Sequence, residues 1–148
     1  MFSGTSHINL DDKGRLAIPV KYRGALLERC AGRLKVTAHV DPCLLIYPMP
    51  DWEPVAKTLH DAPQLDPLVR QWHRRLVGCA DDVEMDASGR VLIPPSLRAM
   101  AELGKTVVLV GIGKKFELWS KEAWDKAQAE MPGLALGPMP SALEGFSF

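Results

Sequence analysis

Alternating apolar and polar residues mark two short segments near the start of the chain. Along residues 6–10 and 15–18 the apolar side chains fall on one side and the polar ones on the other, which predicts two half-buried strands. Residues 11–14, with the sequence Asp-Asp-Lys-Gly, lie between them. Aspartate can open a tight turn, and glycine can close it with a positive φ. The pattern therefore predicts a β-hairpin whose tip carries Lys13 and Arg15.

The same pattern returns 75 residues later in the chain. Residues 8–23 and 83–98 both read Asp-x-x-Gly-Arg, followed by apolar-x-Ile-Pro and by a further arginine. The matched pairs are Asp11 and Asp86, Gly14 and Gly89, Arg15 and Arg90, Ile18 and Ile93, Pro19 and Pro94, and Arg23 and Arg98. A repeat of this kind reveals the building unit of a fold. Two small units are therefore predicted, each marginal alone and in need of a partner surface.

A proline ends each predicted hairpin and opens a helix, because its missing N–H is harmless there. Each copy then continues with two strands and an amphipathic helix, and one helix connects the copies. The predicted helices are 20–30, one from residue 50, 68–77, 94–103 and 121–131, and the later strands are 34–40, 43–47, 106–112 and 116–119.

These elements divide the chain into four predicted parts. They are a first domain at 1–62, a connector helix segment at 63–80, a second domain at 81–131 and a tail at 132–148. The tail is rich in glycine, proline and serine and shows no hydrophobic period, so we expect it to be flexible.

Composition favours a cytoplasmic protein. The chain has 148 residues, 47% of them hydrophobic, but no run reaches the roughly 18 apolar residues of a membrane span. The N-terminus shows no signal-peptide pattern, and Cys30, Cys43 and Cys79 lack the CxxC spacing, which fits a reducing compartment. We expect each cysteine to be a small buried apolar residue. The tryptophans lie on apolar stripes and are expected in the core or an interface: Trp52, Trp72, Trp119 and Trp124.

The net charge is zero, but the two copies differ in charge. Residues 11–35 hold seven basic and three acidic residues, a net +4, whereas residues 81–105 hold three basic and five acidic residues, a net −2. A neutral protein with one basic half can still bind nucleic acid with that half. A third basic cluster, Arg70, Arg74 and Arg75, favours a solvated helix face or a subunit surface over a DNA contact.

The spacing of Asp11 and Arg15 allows two interpretations. The pair can clamp the turn, which for an exposed pair contributes only about 0–1 kcal/mol. Alternatively Arg15 can donate twice to a guanine, with Lys13 on a phosphate. Lys21 and Arg23, in the first helical turn, could contact the flanking DNA backbone, or Arg23 could cover a sheet edge with its stem.

The two Asp-x-x-x-Arg motifs, each followed by apolar-x-Ile-Pro, resemble the MraZ family, whose unit is similar to the SpoVT–AbrB type of DNA-binding domain. The resemblance covers residues 1 to about 131. It implies an α+β fold of two tandem swapped-hairpin β-barrel units with short helices. It also implies that protomers assemble into a ring-shaped homo-oligomer. The net acidic charge of the second copy, and Ala87-Ser88 in its turn, favour a role in building the ring over a phosphate contact for that unit.

The same resemblance implies a bacterial transcription regulator associated with the nucleoid. Such proteins bind G-rich direct repeats in double-stranded DNA upstream of the division and cell-wall operon, their own gene included. By position, the implied DNA-binding residues are Arg15 first, Lys13 beside it and Arg90 second. Turn residues of both copies would orient them: Asp11, Gly14, Asp86 and Gly89.

Other function classes find little support in the sequence. Asp11 and Asp86 lack the Asp-Ser/Thr-Gly order of a paired-carboxylate protease, and no nucleophile triad, phosphate loop or metal-ligand spacing appears. We therefore expect no enzyme, cofactor, metal, membrane or small-molecule substrate. A ring-forming structural or interaction module without specific DNA binding remains the alternative, and the basic stretch at 11–35 argues against it.

Overall fold

The structure, a computed structural model, describes residues 1–135, 137 and 139–147. Its strands are β1 (Phe2–Asn9), β2 (Arg15–Ala17), β3 (Arg33–Ala38), β4 (Cys43–Pro48), β5 (Asp81–Glu84), β6 (Arg90–Leu92), β7 (Thr106–Gly113) and β8 (Lys115–Ser120). Its helices are α1 (Val20–Cys30), α2 (Met49–Asp61), α3 (Pro67–Leu76), α4 (Pro95–Met100), α5 (Lys121–Ala135) and a 3-10 turn at Ser141–Leu143.

Strands of both repeats alternate in one antiparallel sheet, in the order β1-β7-β8-β4-β3-β5. The first strand of each repeat pairs with the other repeat: β1 lies beside β7, and β5 lies beside β3. The return strands β2 and β6 pair with each other in a separate two-stranded ribbon. The predicted hairpin is thus wrong in one respect, because the two strands that flank each turn do not pair with one another.

The predicted α+β class is confirmed, but the barrel is not. Within the described residues the six-stranded sheet stays open, with β1 and β5 at its two edges. The alternating pattern specifies which face of a strand is buried, but it does not specify the neighbouring strand. Three-residue return strands bury too little alone, so each finds its partner in the other repeat. The two sequence repeats therefore fold as one interleaved unit.

The sheet has a different covering on each face. One face packs against the ribbon, α1 and α4, in a core to which both repeats contribute fully buried side chains such as Leu16, Ile18, Val91 and Ile93. The reverse face carries two smaller clusters, one under α5 and one under α2 and α3. Trp52 and Trp119 are buried in these clusters and Trp72 and Trp124 are half-buried against them, as predicted.

The predicted helix starts agree with the structure to within one residue, and two helix ends differ by more than one residue. Asp66 caps α3 by accepting from the backbone N–H of Leu68. The α4 helix ends at Met100, before the predicted 103, because Glu102 turns to a φ of 51°. The α5 helix continues past 131 to Ala135.

Three smaller expectations have mixed outcomes. The predicted tail includes residues 136, 138 and 148, which lie outside the described residues, and its flexibility stays a prediction. Only Cys43 of the three unpaired cysteines is buried, while Cys30 and Cys79 are half-buried. Over the described part of the chain, no helix combines the length and apolarity needed to cross a bilayer.

Candidate nucleic-acid interface

The first turn is built by hydrogen bonds that use both the backbone and the carboxylate of Asp11. The N–H of Gly14 donates to the Asp11 carbonyl at 2.9 Å, and the Asp11 N–H donates to the Arg15 carbonyl at 3.1 Å. Asp11 Oδ1 also accepts from the N–H groups of Lys13 and Arg15. Gly14 has a φ of 81°, which explains the glycine. The turn predicted at 11–14 is confirmed.

Arg15 pairs with Asp11 without using its whole guanidinium. Its Nε donates to Asp11 Oδ2 at 2.6 Å, and the Arg15 side chain keeps 30% of its surface exposed. The hydrogen bond from the Arg15 backbone N–H, helped by the Arg15 side chain, lowers the pKa of Asp11. Among the described residues neither Nη nitrogen of Arg15 has a hydrogen-bond partner. The ion pair between Asp11 and Arg15 is therefore present. The two Nη nitrogens of Arg15 can still donate to a further group.

The second turn repeats this frame. Asp86 accepts from the N–H of Gly89 and donates to the carbonyl of Arg90, both at 2.9 Å. Asp86 Oδ1 accepts from the N–H groups of Ser88 and Arg90, and Arg90 Nε lies 3.2 Å from Asp86 Oδ2. The hydrogen bond from the Arg90 backbone N–H lowers the pKa of Asp86. Gly89, with a φ of 78°, takes the place of Gly14.

The β2–β6 ribbon brings the two turn arginines onto one surface. Arg15 pairs with Leu92 and Ala17 pairs with Arg90 across the strands. The residues between them, Leu16 and Val91, point into the core with no exposed area. The outward side, which we call the ribbon face, therefore consists of Arg15, Ala17, Arg90 and Leu92. Arg15 and Arg90 are diagonal neighbours on the ribbon face, a position at which Cα atoms are about 7–8 Å apart.

The repeat-matched helix arginines cross over to the turn of the other repeat. Arg23 Nε donates to the Ile18 carbonyl at 2.7 Å, and Arg98 Nε donates to the Ile93 carbonyl at 3.0 Å. An added Cβ at Gly89 would lie 2.2 Å from Arg23 Nε, and one at Gly14 would lie 2.5 Å from Arg98 Cζ. Each arginine thus lies against the glycine of the opposite turn.

The charge of the first repeat is partly neutralised in the folded chain. Arg29 forms two hydrogen bonds with Asp51, each at 2.7 Å, and Lys35 lies 2.5 Å from Asp82 of the second repeat. The net +4 counted along residues 11–35 is therefore not a single basic patch.

Lys21 is set apart from the ribbon face. Its Nζ lies 4.9 Å from the centre of the Tyr22 ring, and an added Cβ at Gly4 would be 2.9 Å from it. Asn9 is the end of β1 that leads into the first turn, and Gly4 lies five residues before it. Five residues of extended strand span about 17 Å. Lys13, by contrast, lies exposed within the first turn itself.

The third basic cluster lies on the reverse face of the sheet. Arg70 donates through Nη1 to the carbonyls of Gln64 and Leu65, and Arg75 Nε donates to the carbonyl of His39. Both belong to α3, whose Trp72 and Leu76 pack on the side of the sheet away from the core under the ribbon. These arginines hold loop carbonyls and are not part of the ribbon face.

Comparison with known proteins gives one consistent result. The family model described as "MraZ protein, putative antitoxin-like" matches residues 1–75 and 76–134. The transcriptional regulator MraZ of Nitrosospira multiformis is 52% identical over 147 residues, covering 99% of both chains. The proteins of that name from Nitrosomonas europaea and Pseudomonas aeruginosa are 50% and 47% identical, covering 99% and 97% of both chains.

Proposed function

The chain belongs to the MraZ family, and from this premise we propose that it is a sequence-specific DNA-binding transcription regulator. Its relatives are named transcriptional regulators. The observation that supports DNA binding best is the ribbon face, on which Arg15 and Arg90 project from one exposed two-stranded element.

A two-stranded ribbon fits the major groove, which is about 12 Å wide. Arginine is the side chain best suited to guanine, because it donates to O6 and N7 together, for about 1–3 kcal/mol of discrimination. Arg15 keeps both Nη nitrogens without a partner among the described residues, as this contact requires.

The remaining basic residues take supporting places in this proposal. Lys13 extends from the first turn and reaches a phosphate as a compact charge. Arg23 contributes positive charge beside the second turn while it holds the Ile18 carbonyl. The Nζ of Lys21, which belongs to α1, lies beside Gly4 of β1 and away from the first turn, so its proposed contact is with a flanking phosphate.

The target and the assembly follow from the family resemblance together with energetics. We propose G-rich direct repeats upstream of the division and cell-wall operon, the protein's own promoter included. One ribbon face reads only a few base pairs and binds weakly. Several ribbon faces in a ring-shaped homo-oligomer meeting several repeats can raise the affinity by about 10²–10⁴ without new contacts. The regulator would act in the cytoplasm at the nucleoid.

Gel shifts on DNA from the protein's own promoter region, together with size analysis, test this proposal. Arg15→Ala is expected to weaken specific binding by roughly 100-fold, the upper part of the range for one guanine contact, and to keep the oligomeric size of the wild type. The matched control is Arg74→Ala, which removes the same charge from an exposed position on α3. Normal binding by Arg15→Ala would reject the site. A wild-type ring with no specific binding would favour the structural module instead.

A further inference from the structure

The reverse face of the sheet brings together three side chains that can ligate a metal. We propose that His39, Cys43 and Glu117 form a binding site for a divalent transition-metal ion of the zinc class. One donor atom from each lies within 4.8 Å of the other two. No part of the DNA-binding proposal assigns a role to this cluster.

The fold holds these residues in place from three directions. His39 follows the end of β3, and Cys43 is the first residue of β4. The backbone N–H of Cys43 donates to the Asp41 carbonyl at 2.7 Å, which makes the connection tight. Across the sheet, Cys43 pairs with Trp119 and Leu45 pairs with Glu117, so the thiol and the carboxylate share one face.

The spacing of the imidazole nitrogen and the thiol sulfur is close to that of a tetrahedral site, and all three donor atoms lie within 4.8 Å of one another. With Zn–N of about 2.0–2.1 Å and Zn–S of about 2.3 Å, nitrogen and sulfur ligands lie about 3.6 Å apart. His39 Nδ1 lies 3.8 Å from Cys43 Sγ. The Asp41 carboxylate is 3.4 Å from the same nitrogen, close to the roughly 3.4 Å expected between nitrogen and oxygen ligands. The fourth position is therefore within reach of Asp41 or water.

The charges around the thiol favour a cation. The carboxylates of Glu117 and Asp41 both act on the buried Cys43 thiol, and Lys115 acts in the opposite direction. A divalent ion would be attracted by these two carboxylates, and the thiol proton would pass to solvent as the sulfur binds the metal.

Two further contacts orient the proposed ligands. Trp119 Nε1 donates to Glu117 Oε1 at 3.1 Å, which leaves the other carboxylate oxygen for the metal. Arg75 donates to the His39 carbonyl at 3.0 Å and fixes the backbone there. Outer contacts of this kind are a regular part of metal sites.

The mixture of ligands selects the kind of ion. A thiolate and an imidazole suit zinc or cobalt, whereas magnesium and calcium prefer oxygen alone. The site lies on the sheet face opposite the ribbon, beside the cluster under α5 that includes Cys43 and Trp119. A bound ion there is expected to stabilise the fold without contacting DNA.

Titration of the full-length, metal-free protein with Co²⁺, in a reductant that is not a thiol, tests the proposal. One equivalent per chain is expected to produce the near-ultraviolet absorption of cobalt–thiolate charge transfer. Cys43→Ser should abolish it, whereas the matched control Cys30→Ser, another unpaired cysteine, should keep it. Glu117→Gln, which preserves shape at a half-buried position, should weaken cobalt binding by about tenfold or more.

Zinc should also raise the melting temperature of the wild type more than that of either ligand variant, because it binds the folded state alone. The proposal is wrong if equimolar cobalt gives no such absorption, or if the absorption survives in Cys43→Ser. Unchanged cobalt affinity in Glu117→Gln would equally reject the three-ligand site.

Discussion

The two turns of this chain share one backbone and differ in what they display. Asp, Gly and Arg make the same hydrogen bonds in both, at Asp11–Arg15 and at Asp86–Arg90. The positions between them are Asp-Lys in the first turn and Ala-Ser in the second. The arginine–carboxylate pair is also shorter in the first turn, 2.6 Å against 3.2 Å. The frame is thus common to both turns, and the charge around it is what varies.

Each turn lies against a helix arginine of the other repeat, and this reduces the difference in charge between the two turns. Arg98 of the second repeat lies against the first turn, and Arg23 of the first repeat lies against the second. With these included, each turn has one more basic than acidic residue. The second turn is therefore less acidic in the folded chain than its sequence neighbourhood indicated.

The largest effect is expected on DNA affinity, and it should rank the two turns. Arg15→Ala should weaken specific binding by roughly 100-fold and Arg90→Ala by roughly 10-fold, since loss of a bidentate guanine contact costs about 1–3 kcal/mol. The larger value is assigned to Arg15 because the proposed phosphate contact of Lys13 lies beside it. Fluorescence anisotropy with labelled promoter DNA measures both. An Arg90→Ala variant that binds as the wild type would leave the second turn without a role in recognition.

A smaller effect is expected on stability, and it should be equal for both repeats. Arg23→Ala and Arg98→Ala each leave a carbonyl, of Ile18 or Ile93, without its donor, at a cost of about 1–2 kcal/mol. Urea unfolding measures the loss, with exposed Arg33→Ala as the control. If Arg23→Ala is as stable as the wild type but loses DNA binding, the main role of Arg23 is to contact DNA and not to hold the Ile18 carbonyl beside the second turn.

Exchanging the variable turn residues should shift salt dependence more than sequence preference. Lys13→Ser removes one phosphate contact, so the slope of log K against log salt should fall by about 1. Ser88→Lys should raise that slope by a similar amount and make the second turn resemble the first. Binding measured across a salt series tests both changes. Equal slopes in all three proteins would show that neither position contacts a phosphate.

The smallest effect is expected from pH. The pKa values of Asp11 and Asp86 are lowered in the folded chain from 3.8. A lowered pKa means that the turns contribute stability above 3.8 and lose it as pH falls through the lower folded value. Thermal melts from pH 7 to pH 3 should show this decline, and Asp11→Asn should lessen it. A stability that rises over the same interval would contradict the assignment.

Local features of the fold could be predicted from the sequence because they depend on neighbouring residues. The positive φ at Gly14 and Gly89 and the cap at Asp66 follow from short patterns. Pairing across the repeats could not be predicted in this way, since alternation does not identify a partner strand. The ion pair between Lys35 and Asp82 could not be predicted from the sequence either, because it depends on the pairing of β3 with β5.

The reverse face shows a similar limit for sites. His39 and Cys43 are close in sequence, but Glu117 comes 74 residues after Cys43 and reaches them only through the pairing of β4 with β8. The ribbon face could not be predicted from the sequence either, because the motif of each turn lies entirely within one repeat. Their combination on one surface depends on β2 pairing with β6.

A double-mutant cycle of Arg15→Ala and Arg90→Ala in DNA binding tests the ribbon face most directly. Residues farther apart than about 7–10 Å with no shared partner have additive effects, whereas residues that act on one partner are coupled by about 0.5–3 kcal/mol. If both arginines read one DNA segment from one ribbon, the cycle should give a coupling energy in that range, and a cycle of Arg15→Ala with Arg74→Ala should give none. Additive losses from the two turn arginines would contradict a single shared reading surface.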